Sequence, residues 1–473
     1  MNASMSFRTT LALGICATLL LCACAVRKPP STTETVKNSL PPDTKVPDQW
    51  TSQGTSPAPV ETGWLKRFND PQMEAVVAEA IQNNLDLKAA ATRIQVAASV
   101  VTEVHAQMMP LIAVAGEAKY LGRFHQKNAQ GQIRGNFNAS SLLGSVSWEL
   151  DVWAKIRSQT AAAKQGMAAT ESDYQWARMS LAAATAKLWY LATCTLVLQR
   201  YAQEDVLVDQ QLLDVTIAQF QVGNAEQQQV DFAQAQLAQS QAQLAQVSNA
   251  YLQVVRGLEV LVGRYPAGEI KTASALTALP PPVPAGLPSQ LLERRPDILA
   301  AQHTFNAAFH LIQTAQAARL PAFALNGAGG YLTNEIYQDL KFRPWVWTAG
   351  ADLLAPLYTG GYLQAQVKIA NQNQKAALAL YGQTLLQAFD DVEVTLTNER
   401  YLEDQEKDAT EALKSTEDAL NLGKVKYDVG QTDLSPVLQL ESVVLATQTA
   451  ETYMQYELIA NRIDLYLALG GSF

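Results

Sequence analysis

Four cysteines and four histidines are the side chains in this 473-residue chain best suited to metal or nucleophilic chemistry. Their spacing denies them most of it. His105, His125, His303 and His310 are scattered. His303 and His310 could share one helical face, but two ligands without a third make no zinc-type site. No glycine-rich phosphate loop, nucleophile elbow or cysteine–histidine cluster is present, so the reading is a non-enzyme with no metal and no cofactor. The formal charge of −9 and pI near 5.1 argue against a nucleic-acid protein, whose footprint would be basic. With 48% hydrophobic and 17% charged residues, the chain can build a core and is not disordered throughout.

Chemistry is instead concentrated at the start. Cys16, Cys22 and Cys24 lie in the first two dozen residues, a segment whose apolar run, "LALGICATLLLCA", follows Arg8. Its length suits a signal peptide and is too short for a membrane-spanning helix. It ends in "LCAC" (residues 21–24), which resembles the bacterial lipobox: Leu21 at −3, small Ala23 at −1, then Cys24 as the residue acylated after cleavage. Cys22 is the poorer candidate, because Leu21 would occupy its −1 position. Ala25 follows where an inner-membrane retention signal would place Asp, which implies the outer membrane. Cys194 then remains as the one internal thiol, so no internal disulfide forms.

The anchor must be attached to something, and the elements behind it come twice. "FQVGNAEQQQV" (220–230) and "YDVGQTDLSPV" (427–437) each place an aromatic residue and Val-Gly at the end of a long helix-forming run. "NNLDLKAAATR" (83–93) matches "RRPDILAAQHT" (294–304), with Asp86 and Asp297 separated by 211 residues; Pro110 and Pro321 are separated by the same 211. Gly223 and Gly430 lie 207 apart, as do Gly263 and Gly470. The chain therefore divides into a signal peptide at 1–23, an extended Pro-rich leader at 24–60, a first repeat at 61–265, a Pro-rich linker at 266–288 and a second repeat at 289–473.

Each repeat changes period twice. An Ala-rich helical stretch comes first, ending at Pro110 or Pro321. Alternation follows. In "SLLGSVSWELDVW", Leu142, Gly144, Val146, Trp148, Leu150 and Val152 fall on one face; Ser145, Ser147, Glu149 and Asp151 fall on the other. "PWVWTAGADLLAP" reads the same way more loosely. With stretches near 111–121 and 322–332 this makes four strands; such alternation fits apolar side chains outward and polar ones inward, as in a membrane barrel, and equally a half-buried strand of a soluble sheet. Trp148, Trp153, Trp345 and Trp347 suit an interfacial aromatic girdle. Residues 157–221 and 362–428 then predict helices of unusual length, because 157–221 holds no proline. Some 65 residues at ~1.5 Å each would reach roughly 100 Å. In the returning helix Val230, Leu237, Leu244, Tyr251 and Leu258 recur every seven residues, as do Ala233, Ser240, Val247, Val254 and Leu261. This is a coiled-coil seam.

Four strands cannot enter lipid as an open sheet, since each unsatisfied edge amide costs several kcal/mol. The strands of several copies must be pooled. The signs "LCAC", "NNLDL", "ERRPDI", "LPAF", "LAPLYTGG", "YDVG" and "LYLALGG", in order over the chain beyond its leader, resemble the TolC-like outer-membrane efflux factors, in the lipid-anchored branch with the OprM and NodT proteins. The resemblance implies a mixed α+β membrane protein: a homotrimer sharing one twelve-stranded β-barrel, continued by a long α-helical barrel. It implies an exit duct for small toxic molecules or drugs, coupled through a periplasmic adaptor to an inner-membrane pump of the RND type. It also implies adaptor docking at the tips, here Val222, Gly223, Val429 and Gly430. Relatives carry acids beyond the second tip; the matching positions here are Pro436 and Gln439, with Gln229 in the first repeat and Asp433 nearby but out of register. The expectation is a periplasmic gate less negative than in relatives. Polypeptide secretion, or a structural coiled-coil lipoprotein, are the alternative functions.

Overall fold

A computed structural model describes residues 26–44, 46–52, 63–121, 137–334 and 345–471. The described residues form two compact units: one holds those up to Pro42, Arg93–Glu171 and Ala300–Gly382, and the other holds Asp43–Thr92, Ser172–Leu299 and those from Gln383 onward.

The first unit carries the sheet. Strands β1 (Leu111–Leu121), β2 (Phe137–Leu150), β3 (Ala322–Asn334) and β4 (Trp345–Leu354) are antiparallel in the order β1-β2-β3-β4. The pairing runs without a bulge, from Leu111↔Ser147 to Phe323↔Leu353. With successive side chains on opposite faces, one face therefore collects Ile112, Val114, Leu142, Val146, Trp148, Leu325, Tyr331, Trp345, Trp347 and Leu353, all exposed in the single chain. The other collects Ala113, Ala115, Glu117, Ser145, Ser147, Glu149, Asn326, Thr348 and Asp352. Tyr331 meets Trp345 edge-on at 5.2 Å across the outer rows. The alternation read from the sequence gathers Trp148, Trp345 and Trp347 on one face and the acids Glu117, Glu149 and Asp352 on the other, although Leu111, Leu143, Val346 and Leu354 also fall on the acids' side.

Asp151 departs from it. The strand stops at Leu150, and the Asp151 carboxylate accepts from the backbone of Ile156 and Arg157 at 2.9 Å each and pairs with the Arg157 guanidinium at 3.0 Å. Asp151 therefore stabilises the start of the next helix, whose first amides have no helical partner, and does not line the sheet. Val152 and Trp153 leave the strand with it; the Trp153 indole donates to Pro321 O at 2.7 Å.

The leader also departs from expectation. Residues 24–60 read as extended, yet Thr32–Ser39 is a helix, α1, capped by Ser31, whose Oγ accepts from Glu34 N. Thr35 is 1% exposed. The carbonyl of Ser39 sits where a side chain on Gly382 would project. A leucine there is expected to dislodge α1, read as rapid amide exchange across residues 32–39 while the sheet stays protected.

Helices α2 (Pro71–Asn83) and α3 (Leu85–Ala106) precede β1. Asp70 caps α2, accepting from Gln72 N and Met73 N at 3.0 Å, and Pro71 fills a position that needs no N–H. Helices α4 (Lys155–Gln221) and α5 (Gln227–Leu261) follow β2. After the linker come the short α6 (Leu291–Arg294) and α7 (Pro296–Ala317). Helices α8 (Tyr362–Asp428) and α9 (Leu434–Ala468) follow β4. Both outgoing helices have 67 residues and both returning ones 35, about 100 Å and 50 Å at 1.5 Å per residue. All ten α5 seam positions are buried or half-buried, as the heptads require.

In the second unit, Trp64, Phe68, Tyr190 and Tyr466 form the aromatic core, with Trp64 stacked on Tyr466 at 5.5 Å. The leader's Trp50 is buried there too, donating to Ala285 O at 3.1 Å. Thr51 N and Ser52 N donate to Glu393 at 2.7 and 3.0 Å. Burial alone would raise the Glu393 carboxyl, but these donors outweigh it and hold it below its ordinary value of 4.5. A depressed folded value stabilises above the unfolded one and loses that contribution as pH falls through it. Amide exchange at residues 50–52 is therefore expected to speed up selectively below about pH 4.5, and Glu393→Gln to abolish that pH step.

Candidate functional site: the helical tips and their mouth

The tips are built twice by one set of hydrogen bonds. Gly223 has φ +80° and Gly430 φ +73°. Gly223 N donates to Phe220 O at 3.0 Å and Asn224 N to Gln219 O at 2.8 Å; Gly430 N donates to Tyr427 O at 2.9 Å and Gln431 N to Lys426 O at 2.8 Å. This is the Schellman arrangement, in which a left-handed glycine lets the last helical carbonyls find donors. Nothing lies within 4 Å of a side chain added at either glycine. The requirement is therefore for the backbone angle, which costs an L-residue roughly 1–2 kcal/mol. Val222 and Val429 stand exposed beside them, apolar groups with no fold-internal use.

The far ends of the hairpins repeat as well. Asn84 Nδ2 donates to Leu261 O at 3.0 Å, and Arg295 Nη1 to Ala468 O at 3.3 Å. A side chain on Gly263 would meet Asn83 O at 3.1 Å; one on Gly470 would meet Arg294 O at 3.2 Å. The separations are again 211 and 207, so the duplication extends to tertiary contacts.

Around the first tip and the start of α9 lies an open concavity of about 1160 Å³. Gly223, Gln229, Asp433, Pro436 and Gln439 all line it; Val222, Val429 and Gly430 do not. Pro436 is the third residue of α9, within the first turn, where a missing N–H leaves no helical bond unmade. Gln229 is committed locally: its Oε1 accepts from Glu226 N at 2.8 Å, capping α5. Asp433 occupies the cap position of α9 with no side-chain cap bond. Glu226 and Phe232, which the sequence reading passed over, also line the space. The signal for Glu226 was available, since an acid three residues before Gln is a capping-box pattern. Glu441, further along α9, lies 3.7 Å from Lys424. The acids of the mouth are thus Glu226 and Asp433. Beneath it Val208, Leu212, Leu438 and Leu445 form a buried apolar cluster, which holds α4 against α9. Cys24 lies outside the described residues.

The family model for outer membrane efflux proteins matches residues 76–264 and 287–471. Relatives include a probable efflux pump outer membrane protein, TtgC, of Pseudomonas putida, 25% identical over 92% of this chain and 93% of its own. The cation efflux system protein CusC of Escherichia coli is 27% identical over 87% and 88%. The probable outer membrane lipoprotein SilC of Salmonella typhimurium is 26% identical over 91% and 94%. Among solved structures, the CmeC outer membrane channel of Campylobacter jejuni matches with a TM-score of 0.83 at 22% identity over 95% of each chain. The outer-membrane channel OprN matches with a TM-score of 0.79 at 23% identity, over 92% of this chain and 99% of its own. Two matched segments, two hairpins with equivalent tips and one sheet sorted into apolar and polar faces converge: the chain belongs to the outer membrane efflux protein family, whose members are channels and not enzymes.

Proposed function

We propose that three copies of this chain pool their strands into one barrel and form the exit duct of a tripartite efflux pump. The observation that carries this is the sheet, which has a bulky apolar and aromatic outer face and ends in β1 on one side and β4 on the other. In lipid those two edges must be paired, and copies in a ring pair β4 of one with β1 of the next. The helical hairpins extend the duct into the periplasm. Cargo moves passively from an inner-membrane pump of the RND type. A periplasmic adaptor docks at Val222, Gly223, Val429 and Gly430, where exposed apolar groups flank a fixed bend. Relatives are named for antibiotic, toluene, cation and pyoverdine export; for this chain we propose small toxic molecules or drugs. Cys24 carries the lipid, residues 1–23 are removed, and the two repeats span 61–265 and 289–473 across the 266–288 linker.

The test is cargo accumulation in the native host. Deleting the gene should raise intracellular levels of a fluorescent pump substrate, and restoring it should lower them only while adaptor and pump are present. Lowering them without the adaptor would refute the tripartite reading. The anchor is dispensable for the pore on this account: Cys24→Ala behind a cleavable signal should still fractionate with the outer membrane. Gln229, Pro436 and Gln439 leave the gate weakly acidic, so divalent block of the conductance should be shallow and insensitive to Asp433→Asn; steep block abolished by that change would contradict it.

A further inference from the structure

Asp205 and Asp209 lie one turn apart on α4, so both carboxylates share the helix face that looks toward α5. Asp209 is 2% exposed. One carboxylate oxygen of each is enclosed without a hydrogen-bond partner. Both residues line a cavity of about 410 Å³, whose remaining wall is Phe232, Ala235, Gln236, Gln239, Ser240 and Gln243 of α5. That wall supplies three amide oxygens and a hydroxyl, and among the described residues no Lys or Arg borders the space.

Burial raises the Asp209 carboxyl above its ordinary value, and the neighbouring Asp205 charge raises it further, against lowering by Ser240 and Gln236. A buried carboxylate with one oxygen left unsatisfied is costly, and a second acid one turn away adds to the cost. The strain is relieved by a positive charge placed between them. Carboxylate and amide oxygens are hard donors, suited to calcium, magnesium or manganese and ill suited to soft metals. Calcium tolerates the irregular, high-coordination geometry that two helix faces can offer, and retains water where protein oxygens run out. The cavity has room for such waters.

We propose that Asp205 and Asp209, completed by amide oxygens of the α5 glutamines, bind a divalent cation of the calcium class. The ion ties α4 to α5 about 20 Å before the first tip, given the fourteen residues from Asp209 to Gly223 at ~1.5 Å each. Its acids are distinct from those of the mouth, where Glu226 and Asp433 are exposed and only Phe232 borders both spaces, and it stiffens the hairpin that carries that tip.

The test uses full-length protein in detergent, stripped with chelator and dialysed against calcium alone. One saturable calcium per chain is expected. Affinity should fall roughly tenfold or more in both Asp209→Asn and Asp205→Asn, a loss at least as large as outer-shell changes produce. Glu226→Gln with Asp433→Asn should leave it intact. Calcium should slow amide exchange over residues 232–243 in the wild type and not in the two site variants. Should Asp209→Asn fail to fold, the half-buried Asp205 carries the same comparison. No saturable binding at millimolar calcium, as a pair that merely holds a proton would give, overturns the proposal. So does binding unchanged in Asp205→Asn, or lost in the mouth variant.

Discussion

Arg462→Met is expected to release the Pro-rich linker and to destabilise the second unit by about 3–5 kcal/mol, the cost of leaving a buried charge without its partner. Arg462 is 0% exposed. Its Nε donates to Glu399 at 2.7 Å and Nη2 reaches the same carboxylate, while Nη1 donates to the carbonyls of Pro280 and Pro281. Asn461 completes Glu399 from the other side at 2.9 Å. Prolines have no N–H to give, so at Pro280 and Pro281 the linker is held by what its carbonyls accept, and one guanidinium supplies both, while Trp50 holds it again at Ala285. Methionine fills similar volume but leaves Glu399 with only the Asn461 donor and leaves two carbonyls unsatisfied. Limited proteolysis should then cut first within residues 266–288, and the denaturation midpoint should drop. Replacing Glu399 by leucine as well should recover much of the loss, because removing both charges spares the unpaired one. An unchanged midpoint in the single variant would show that the linker is held elsewhere.

The second large effect is functional. Val222→Asp with Val429→Asp places charge on both exposed tips without touching the left-handed glycines or the apolar cluster beneath. Folding and conductance should be unaffected. Export should fall to the level of the gene deletion, because an apolar docking contact cannot absorb an unpaired charge in each copy. Substrate accumulation in cells and single-channel current in bilayers, measured on the same variant, separate the two. Full export from the double variant would remove these positions from the docking surface.

Much of the fold is legible in the sequence because it is made of long, locally consistent elements. Residues 157–221 and 362–428 carry no proline between strand and tip, so helix propagation has no reason to stop. The sheet is legible because alternation with period two is unbroken from Ser145 to Leu150, and the register has no bulge to disturb it. The duplication is legible because its anchors are glycines and prolines, whose backbone requirements survive changes in side chains. What escapes is decided by partners far away in the chain. The leader reads as extended until Ser39 is found against Gly382 and Trp50 against Phe389. Asp151 continues an alternating pattern by type alone, yet the helix that starts at Lys155 claims it. Gln229 stands where a gate residue was expected, and its side chain is spent on a cap. Arg462 and Asp209 look like ordinary charges on solvated helix faces; only the tertiary packing makes one a buried tether and the other a buried acid with one oxygen left unpartnered.

The claim on which the account rests is that each copy supplies part of a wall and that pooled copies enclose a lumen. A planar-bilayer recording of purified protein, with chemical cross-linking of the same preparation to count chains, tests it most directly. A conducting species that cross-links to three chains and loses conductance when dissociated is expected. A stable single chain that inserts with its β1 and β4 edges unpaired, or a three-chain particle that passes no current, would contradict it.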